Sequence, residues 1–588
     1  MKERLRAMSS AALACAVLAF LSCAGAPAAA PAPGSSAGAA ARPAYEPSRW
    51  TGSPIVTTVF GAVRGGEDAD GTFLWKAIPY ARPPVGELRW RAPQDPLPWA
   101  GVRSAGSFNA GCTQFSPVFR GSVTGSEDCL YLNVWRPRDA EAHLPVYVWI
   151  HGGGNSIGSA TMVPDYYGNR VASRSRMVFV SMNYRLGPFG WFTHPALRDP
   201  GAPGMTPQDA SGNYGTLDII KSLEWVRQNI EAFGGDPGNV TITGESAGAF
   251  NVLSLLVAPP AAGLFHRAIS QSGSARTSGV DEADARSEQA LEELLVQAGK
   301  ARTAAEAATP AAAMDPESVR AFLRSRTDRQ IMRVYRPAAM GMIGNPALIR
   351  DGAVLPLDGF GVLTSGAYPN KVPLIIGTNK EELKLFLAFA GTIPWRSELY
   401  AAIVKYGSDR WKASGVDEVA RRLTANADQP PVYAYQFSWG APDALGRSPM
   451  PGTWGRRLGA FHSLEIPFLL GTDTLEGVLQ GLLFTRKNQP GRKALSAAMM
   501  DYAARFARTG DPNRPGSGLP EWIPWSNTAG ALKLMVLDAN DERALLGMTS
   551  TEVTDQGVMD ALRSELAEPV RSQALAYLEM SRMPAGVR

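Results

Sequence analysis

Short apolar runs alternate with helical patterns through the middle of the sequence. Val146–Ile150 and Met177–Met182 are dense apolar runs with the length of a strand that is buried on both faces. Leu217–Ile230 carries apolar side chains at helical spacing, while Val240–Thr243 and Ala247–Val257 repeat the pair of a strand and a helix. This alternation predicts an α/β fold with a mostly parallel central sheet flanked by helices.

Further elements extend the pattern toward both ends of the chain. Ile55–Val63 and Phe73–Ile78 are predicted early strands, and Val372–Gly377 and Leu532–Leu537 are predicted late strands. Residues 281–335 are rich in Ala, Glu and Arg and contain no strand pattern. They are therefore predicted to form a helical insertion on the main domain.

The N-terminus has the layout of a secretory signal peptide. Lys2, Arg4 and Arg6 precede an apolar run from Ala11 to Leu21, and small residues follow. The run is shorter than the roughly 20 residues that a membrane-spanning helix takes. Residues 1–23 are therefore predicted to direct export; a buried helix at the extreme N-terminus is the alternative.

The segment after the apolar run predicts a tether. Residues 24–41 contain only Ala, Gly, Pro and Ser, a composition that cannot bury enough apolar surface to fold. We expect a flexible tether over residues 24–49 and a single globular domain over residues 50–588. Cys23 follows Phe-Leu-Ser in what resembles a lipoprotein-processing site, although ordinary signal cleavage nearby fits equally well. The mature protein is thus expected to be periplasmic, secreted or a membrane-anchored lipoprotein.

The charges of the chain are nearly balanced. There are 58 Lys and Arg residues against 54 Asp and Glu, with no long run of one sign. Proteins that bind nucleic acid usually carry a basic patch or stripe, so the sequence argues against a nucleic acid partner. No later apolar run is long enough for a transmembrane span.

Cys112 and Cys129 are the only pair of cysteines that lies well inside the predicted mature chain. In an oxidising compartment such a pair predicts a disulfide, and the alternative is two buried thiols.

Gly244-Glu245-Ser246-Ala247-Gly248 matches the G-x-S-x-G nucleophile elbow. The pattern alone is weak, because Gly154-Asn155-Ser156-Ile157-Gly158 matches it too. Context separates the two, since the elbow must lie between a strand and a helix. Ser246 has that context and is the predicted nucleophile, whereas Ser156 is predicted to be a loop serine.

His151-Gly152-Gly153-Gly154 follows the predicted strand that ends at Ile150. Acyl transfer creates an oxyanion, which backbone N–H groups stabilise, and glycines let the backbone approach the substrate closely. Gly153 and Gly154 are predicted to donate these hydrogen bonds together with the amide of Ala247. A plain glycine-rich turn is the alternative.

A nucleophilic serine needs a histidine base and a carboxylate that orients the histidine. The chain has five histidines: His143, His151, His194, His266 and His462. The order serine, acid, histidine leaves the last two, and His266 follows Ser246 too closely for an acid-bearing strand to intervene. His462 is therefore the predicted base.

The acid is expected after a strand between the serine and the histidine. Val372–Gly377 provides this strand, and Glu381 and Glu382 follow it. One of the two is expected to be the acid and the other a solvated loop charge. The spacing does not choose between them.

Several further segments follow one another in a fixed order along the chain: Ala77–Ala81, Pro83–Gly86, Ser126–Asn133, Asn183–Arg185, Gly212–Gly215, Phe233–Pro237, Gln271–Gly273 and His462–Phe468. Together they resemble the type-B carboxylesterase family, which includes cholinesterases and bacterial esterases active on nitrobenzyl esters. The resemblance runs from about Val56 to Trp525 and implies the α/β-hydrolase fold.

The resemblance implies a serine carboxylesterase whose triad is Ser246, Glu382 and His462, because the family places its acid last in an Asn-Lys-acidic-acidic run. It implies hydrolysis of a small-molecule ester through an acyl-enzyme intermediate, with no metal and no organic cofactor.

The resemblance further implies that Cys112 and Cys129 form a disulfide, and that Glu245 and Ser272 support the site by hydrogen bonding. One feature departs from the cholinesterases, in which a Trp of the disulfide loop stacks on choline. The loop here has no Trp, and Phe119 lies near that place. A general esterase is therefore expected.

Two other functions remain open from the sequence. Some relatives are adhesion proteins that have lost the nucleophile, although the intact triad weighs against a pure binding module. The triad also does not distinguish esters from amides, thioesters or larger esters, because the pocket selects the leaving group. The oligomeric state is left open.

Overall fold

The computed structural model describes residues 45–117, 119–198, 204–472, 475 and 478–580. The predicted signal peptide, Cys23 and residues 24–44 of the predicted tether lie outside these residues. The strands are β1 Ile55–Thr58, β2 Gly61–Arg64, β3 Gly66–Asp68, β4 Thr72–Pro79, β5 Val102–Ser104, β6 Gln114–Phe115, β7 Val123–Thr124, β8 Tyr131–Pro137, β9 Leu144–Ile150, β10 Val178–Met182, β11 Gly235–Glu245, β12 Arg267–Gln271, β13 Leu374–Asn379, β14 Val432–Phe437, β15 Leu534–Ala539 and β16 Ala544–Thr549.

Helices connect and cover these strands. They are α1 Asn169–Ser175, α2 Gly187–Gly190, α3 Tyr214–Asn229, α4 Ala247–Val257, α5 Val280–Gln297, α6 Ala304–Ala312, α7 Pro316–Arg324, α8 Asp328–Met332, α9 Val362–Ser365, α10 Leu383–Ala390, α11 Glu398–Lys412, α12 Glu418–Thr424, α13 Trp454–Arg457, α14 Ile466–Leu469, α15 Val478–Leu483, α16 Gln489–Thr509, α17 Asp555–Glu565 and α18 Val570–Met580. A π-helical turn, Ala413–Asp417, joins α11 to α12. None of the described helices is long and apolar enough to cross a membrane.

The main sheet has eleven strands in the order β16-β15-β14-β13-β12-β11-β9-β10-β8-β4-β3. The seven strands from β15 to β10 in this order run parallel to one another. Antiparallel strands complete both edges, with β16 on one side and β8, β4 and β3 on the other. The prediction of a mostly parallel sheet is confirmed.

Alternation of side chains along β9 explains the layers. Val146 and Val148 point into a core that includes residues of α3 and α4, whereas Tyr147 and Trp149 point into a second core that includes residues of α16. All seven residues of β9 are buried, because helices cover both faces of the sheet.

The prediction of a single strand over Ile55–Val63 is wrong, because this segment forms the hairpin of the two strands β1 and β2. The hydroxyl of Thr58 accepts a hydrogen bond from the N–H of Phe60 and donates one to the carbonyl of Gly61, which turns the chain. Tyr45 and Ser48, within the predicted tether, donate backbone hydrogen bonds to this hairpin. The folded part of the chain thus begins before Trp50.

Residues 281–335 contain the four helices α5 to α8 and no strand. Leu291, Leu294, Val319 and Leu323 pack in a hydrophobic cluster that also includes Phe115 of the disulfide loop. The segment therefore lies beside that loop.

The parallel strands position the candidate site. Their carboxyl ends share one edge of the sheet, where loops commonly carry functional groups. His151 follows β9, Ser246 follows β11, Ser272 follows β12, and Glu382 follows β13. Four segments that are distant in sequence are thereby brought to one place.

Candidate active site

Ser246 lies on a sharp turn between β11 and α4. Its φ is 56° and its ψ is −123°, a conformation that costs energy for a residue with a side chain. The neighbouring glycines leave no room for a side chain, because a Cβ at Gly244 would lie 2.5 Å from the carbonyl carbon of Gly248. A Cβ at Gly248 would lie 2.0 Å from the carbonyl oxygen of Ile150. These contacts are those of the strained elbow that exposes a nucleophile.

Ser156, in the second G-x-S-x-G match, lies in a loop. The N–H groups of Ser156 and Ile157 both donate to the carbonyl of Gly153, at 3.1 and 3.0 Å. The Ser156 hydroxyl is buried and accepts a hydrogen bond from the N–H of Ile343 at 3.3 Å. The structure therefore places only Ser246 between a strand and a helix.

The loop after β9 packs directly against the elbow. A Cβ at Gly152 would lie 3.1 Å from the Cβ of Ser246. Gly153 and Gly154 have φ values of 108° and 61°, and no described atom accepts a hydrogen bond from either N–H group. Ala247 is the first residue of α4, so its N–H precedes the helical hydrogen-bond ladder. Among the described residues, the N–H groups of Gly153, Gly154 and Ala247 therefore have no hydrogen-bond acceptor.

The structure brings His462 and Glu382 together at 2.6 Å between Nδ1 and Oε2. Both side chains are buried. The other oxygen of Glu382 accepts hydrogen bonds from the hydroxyl of Thr378 at 2.5 Å and the N–H of Asn379 at 2.7 Å. Burial raises the pKa of Glu382, but the charge of His462 and the side-chain hydrogen bonds of His462, Ser272 and Thr378 outweigh it and hold that pKa below its usual value.

Glu381 points away from His462. Its Oε2 accepts a hydrogen bond from the N–H of Ala460 at 3.1 Å, and its Oε1 lies 2.8 Å from the ammonium of Lys384. The expectation of a solvated loop charge is wrong, because the Glu381 side chain is only 16% exposed and that of Lys384 only 5%. Glu381 instead ties the loop that carries Glu382 to the segment that carries His462.

Glu245 lies on the other side of the imidazole, with Oε1 at 3.2 Å from Nε2 of His462. The same oxygen accepts a hydrogen bond from the hydroxyl of Ser463 at 2.6 Å. Burial works to lower the pKa of His462, but the charges of Glu245 and Glu382 outweigh it and raise that pKa to about 9.

Glu465 is a buried carboxyl group that the sequence reasoning did not single out. It accepts hydrogen bonds from the side chains of Asn379 and Ser272, the latter at 3.4 Å. Burial, followed by the charges of Glu245 and Glu382, raises the pKa of Glu465 to about 8. Its place in the segment after His462 is the only sequence signal for it.

Two aromatic side chains cover the imidazole, and neither was predicted. The ring centroids of Trp411 and Phe386 lie 5.0 and 5.1 Å from that of His462. The indole N–H of Trp411 lies 3.3 Å from the carbonyl oxygen of Ser272 and 3.0 Å from that of Gly273. This N–H therefore ties α11 to the loop after β12.

The disulfide between Cys112 and Cys129 is confirmed, with Cα atoms 5.0 Å apart. Phe119 lies in the loop between β6 and β7 and its side chain is 71% exposed. Among the described residues, no group of three or more His, Cys, Asp or Glu side chains is arranged to hold a metal ion.

Comparison with known proteins identifies the family. A profile of the carboxylesterase family matches residues 52–397 and 396–553. Para-nitrobenzyl esterase of Bacillus subtilis (strain 168) is 32% identical over 494 residues, which cover 80% of this chain and 92% of that protein. Carboxylesterase 1D of Rattus norvegicus is 30% identical over 552 residues, covering 82% and 89%.

Solved structures agree with the sequence comparison. A PNB esterase superposes with a TM-score of 0.63 at 29% identity, covering 85% of this chain and 98% of that one. The carboxylesterase EST55 of Geobacillus stearothermophilus superposes with a TM-score of 0.65 at 30% identity, covering 84% and 98%. The chain therefore belongs to the carboxylesterase family, has the α/β-hydrolase fold and hydrolyses carboxylic esters.

Proposed function

We propose that Ser246, His462 and Glu382 are the catalytic triad of this esterase. The observation that carries the proposal is the buried hydrogen bond between Glu382 and His462, at the sheet edge where the strained Ser246 lies. A carboxylate that accepts the Nδ1 proton fixes the tautomer of the neutral imidazole in which Nε2 carries the lone pair that accepts a proton.

In the proposed mechanism, Nε2 of His462 removes the proton of the Ser246 hydroxyl, which attacks the ester carbonyl carbon. The carbonyl oxygen becomes an oxyanion, held by the N–H groups of Gly153, Gly154 and Ala247. The imidazolium gives its proton to the departing alcohol, leaving an acyl-enzyme. Water then attacks the acyl carbon through the same base, and the carboxylic acid departs.

Glu245 and Ser272 are proposed to support the triad without taking part in bond making. Glu245 contacts Nε2 of His462 and is held by Ser463, so its charge favours the imidazolium that forms during attack. Ser272 hydrogen-bonds to Glu465, whose carboxyl group is in turn affected by the charges of Glu245 and Glu382.

The substrate class is proposed to be general small-molecule carboxylic esters. A relative at 32% identity is named for para-nitrobenzyl esters. The disulfide loop contains no Trp, and its Phe119 is exposed, so nothing in that loop favours choline esters. Hydrolysis rates over esters of graded acyl and alcohol length test this proposal, and a selective preference for choline esters would contradict it.

Ser246→Ala tests the nucleophile. We expect turnover of p-nitrophenyl acetate to fall by about 10³-fold or more, since triad members act as a unit. Ser254→Ala is the matched control: Ser254 is a buried serine of α4 whose hydroxyl donates to the carbonyl of Asn251. A fluorophosphonate probe should label Ser246, identified by peptide mass. An active, unlabelled Ser246→Ala variant would exclude the mechanism, and failure of the wild type to react would favour a binding protein.

Export is also proposed, from the signal-like residues 1–23, and the disulfide is consistent with it. Cys23→Ala distinguishes the two routes of processing. Loss of membrane association in this variant indicates lipid attachment at Cys23, whereas unchanged cleavage and release indicate ordinary signal cleavage. An uncleaved chain that stays in the cytoplasm would contradict export altogether.

A further inference from the structure

Gln114 clamps one end of the glycine loop that follows β9. Its Oε1 accepts a hydrogen bond from the N–H of Gly158 at 2.7 Å, and its Nε2 donates to the carbonyl of the same residue at 2.8 Å. Nε2 also donates to the carbonyl of Cys112 at 3.0 Å. The side chain is only 6% exposed, so the two-point contact with Gly158 is shielded from water.

Gly158 in turn packs against the glycines of the proposed oxyanion hole. Its φ is 112°, and a Cβ there would lie 2.6 Å from both the carbonyl oxygen of Gly152 and Nδ1 of His151. Between Gly153 and Gly158 the chain makes a tight turn, since the N–H groups of Ser156 and Ile157 both donate to the carbonyl of Gly153. A shift of Gly158 must therefore move Gly152 and Gly153.

The disulfide loop holds Gln114 in place. The N–H of Thr113 donates to the carbonyl of Ser126 at 3.2 Å, and the N–H of Ser126 donates to Gly111 at 3.0 Å. Gln114 itself begins β6, which pairs with β7. The bond from Cys112 to Cys129 closes the same loop two residues before Gln114.

We propose that Gln114 is a positioning residue for the oxyanion hole, and that the disulfide acts on catalysis through it. This inference rests on the proposed function, because it assumes that Gly153 and Gly154 hold the oxyanion. Backbone donors stabilise a transition state only where their geometry is fixed beforehand. Without Gln114 the buried N–H and carbonyl of Gly158 lose their partners, and the loop must rearrange to find others.

Gln114→Met tests the proposal, because Met has a similar shape and cannot make the hydrogen bonds. Turnover is measured with p-nitrophenyl acetate and divided by the number of active sites that react with a fluorophosphonate, so that misfolded molecules do not count. We expect kcat per active site to fall about tenfold with KM changed less than about twofold, because the oxyanion exists only in the transition state.

Gln429→Met is the matched control. Gln429 also donates from Nε2 to two backbone carbonyls, those of Val372 and Pro430. It precedes β14, however, and so lies at the amino ends of the parallel strands, opposite the edge that carries the site. Its kcat per active site should match the wild type.

Binding of a trifluoromethyl ketone separates positioning from general destabilisation. Its adduct with Ser246 places an anionic oxygen in the oxyanion hole, so Gln114→Met should weaken inhibition by about the same factor as kcat/KM. If Gln114→Met does not fold, Gln114→Glu takes its place, since it keeps the shape and an acceptor for the N–H of Gly158.

The disulfide is tested by replacing Cys112 and Cys129 with serine in both backgrounds. If the disulfide acts through Gln114, the cysteine replacement lowers kcat several-fold in the wild-type background and by less than about twofold in Gln114→Met. Losses that multiply would overturn that part of the proposal.

A kcat per active site within twofold of the wild type for Gln114→Met, with inhibition by the ketone unchanged, would overturn the role of Gln114. If Gln114→Met is unaffected in this way while Ser246→Ala is inactive, the proposed function stays intact. An active Ser246→Ala contradicts the proposed function itself.

Discussion

Replacing Glu382 with Gln should disable the base although the shape is kept. The hydroxyl of Thr378 and the N–H of Asn379 both need an acceptor, and they donate to one oxygen of Glu382. A Gln at this place must keep its carbonyl oxygen toward these donors, so its NH₂ group faces Nδ1 of His462. The amide then donates where the carboxylate accepted, and the imidazole proton moves to Nε2.

An imidazole with its proton on Nε2 cannot deprotonate Ser246. The buried carboxylate charge, 2.6 Å from Nδ1, is lost as well. The comparable Asp-to-Asn change in a serine protease triad lowers turnover by about 10⁴-fold, or roughly 5.5 kcal/mol of activation free energy. We expect a loss of about 10³- to 10⁴-fold for Glu382→Gln, with a fold that stays intact.

Glu381→Gln is the matched control, and its expected effect lies in stability. Gln can still accept the N–H of Ala460 but leaves the nearly buried ammonium of Lys384 with only the carbonyl of Gly455. We expect a loss of about 2 kcal/mol in the free energy of unfolding, somewhat below the range for breaking a fully buried ion pair. Turnover per folded molecule should stay within about tenfold of the wild type.

Turnover at saturating substrate, corrected for the titrated active sites, compares the two variants, and urea unfolding measures their stability. If Glu381→Gln is the one that loses 10³-fold, the acid is Glu381 and the orientation argument is refuted. Retention of more than about a tenth of wild-type turnover by Glu382→Gln would show that His462 does not depend on this carboxylate.

Three further predictions follow from the site. The base must be neutral, and the charge of Glu245 raises the pKa of His462, so kcat/KM should rise with pH along a limb above pH 6.5. Glu245→Gln should move that limb to lower pH, and an unmoved limb would contradict the electrostatic role of Glu245. Replacing Cys112 and Cys129 with serine should lower the free energy of unfolding by about 3 kcal/mol, and two titratable thiols in the denatured, unreduced wild type would show that the disulfide is absent. Gly248→Ala should yield little folded or active protein, since its Cβ would meet a backbone carbonyl at 2.0 Å; normal folding and activity would refute the tight elbow.

Local patterns predicted the parts of the protein that depend on nearby residues. The alternation of apolar runs predicted the parallel sheet, and the strand and helix on either side of Ser246 distinguished it from Ser156. Elimination among five histidines led to His462. For the acid, the spacing left Glu381 and Glu382 open, and only the family resemblance favoured Glu382.

Contacts between distant segments could not be read in the same way. Trp411 of α11 contacts the imidazole of His462, a residue far along the chain, and no local pattern indicates this. Gln114 contacts Gly158 across 44 positions of sequence. The burial of Glu381 could not be predicted from the sequence, because its partner Lys384 is buried through contacts with distant residues such as Gly455.

The spread of the site along the chain has a consequence for folding. Glu382 and His462 are 80 positions apart, and Glu245 meets Ser463 across 218. Strand β14 lies between Glu382 and His462 in the sequence. A chain that stops before residue 462 also lacks the proposed base altogether. Hydrolysis should therefore begin only when the sheet is nearly complete, and during refolding the return of esterase activity would time the assembly of the sheet.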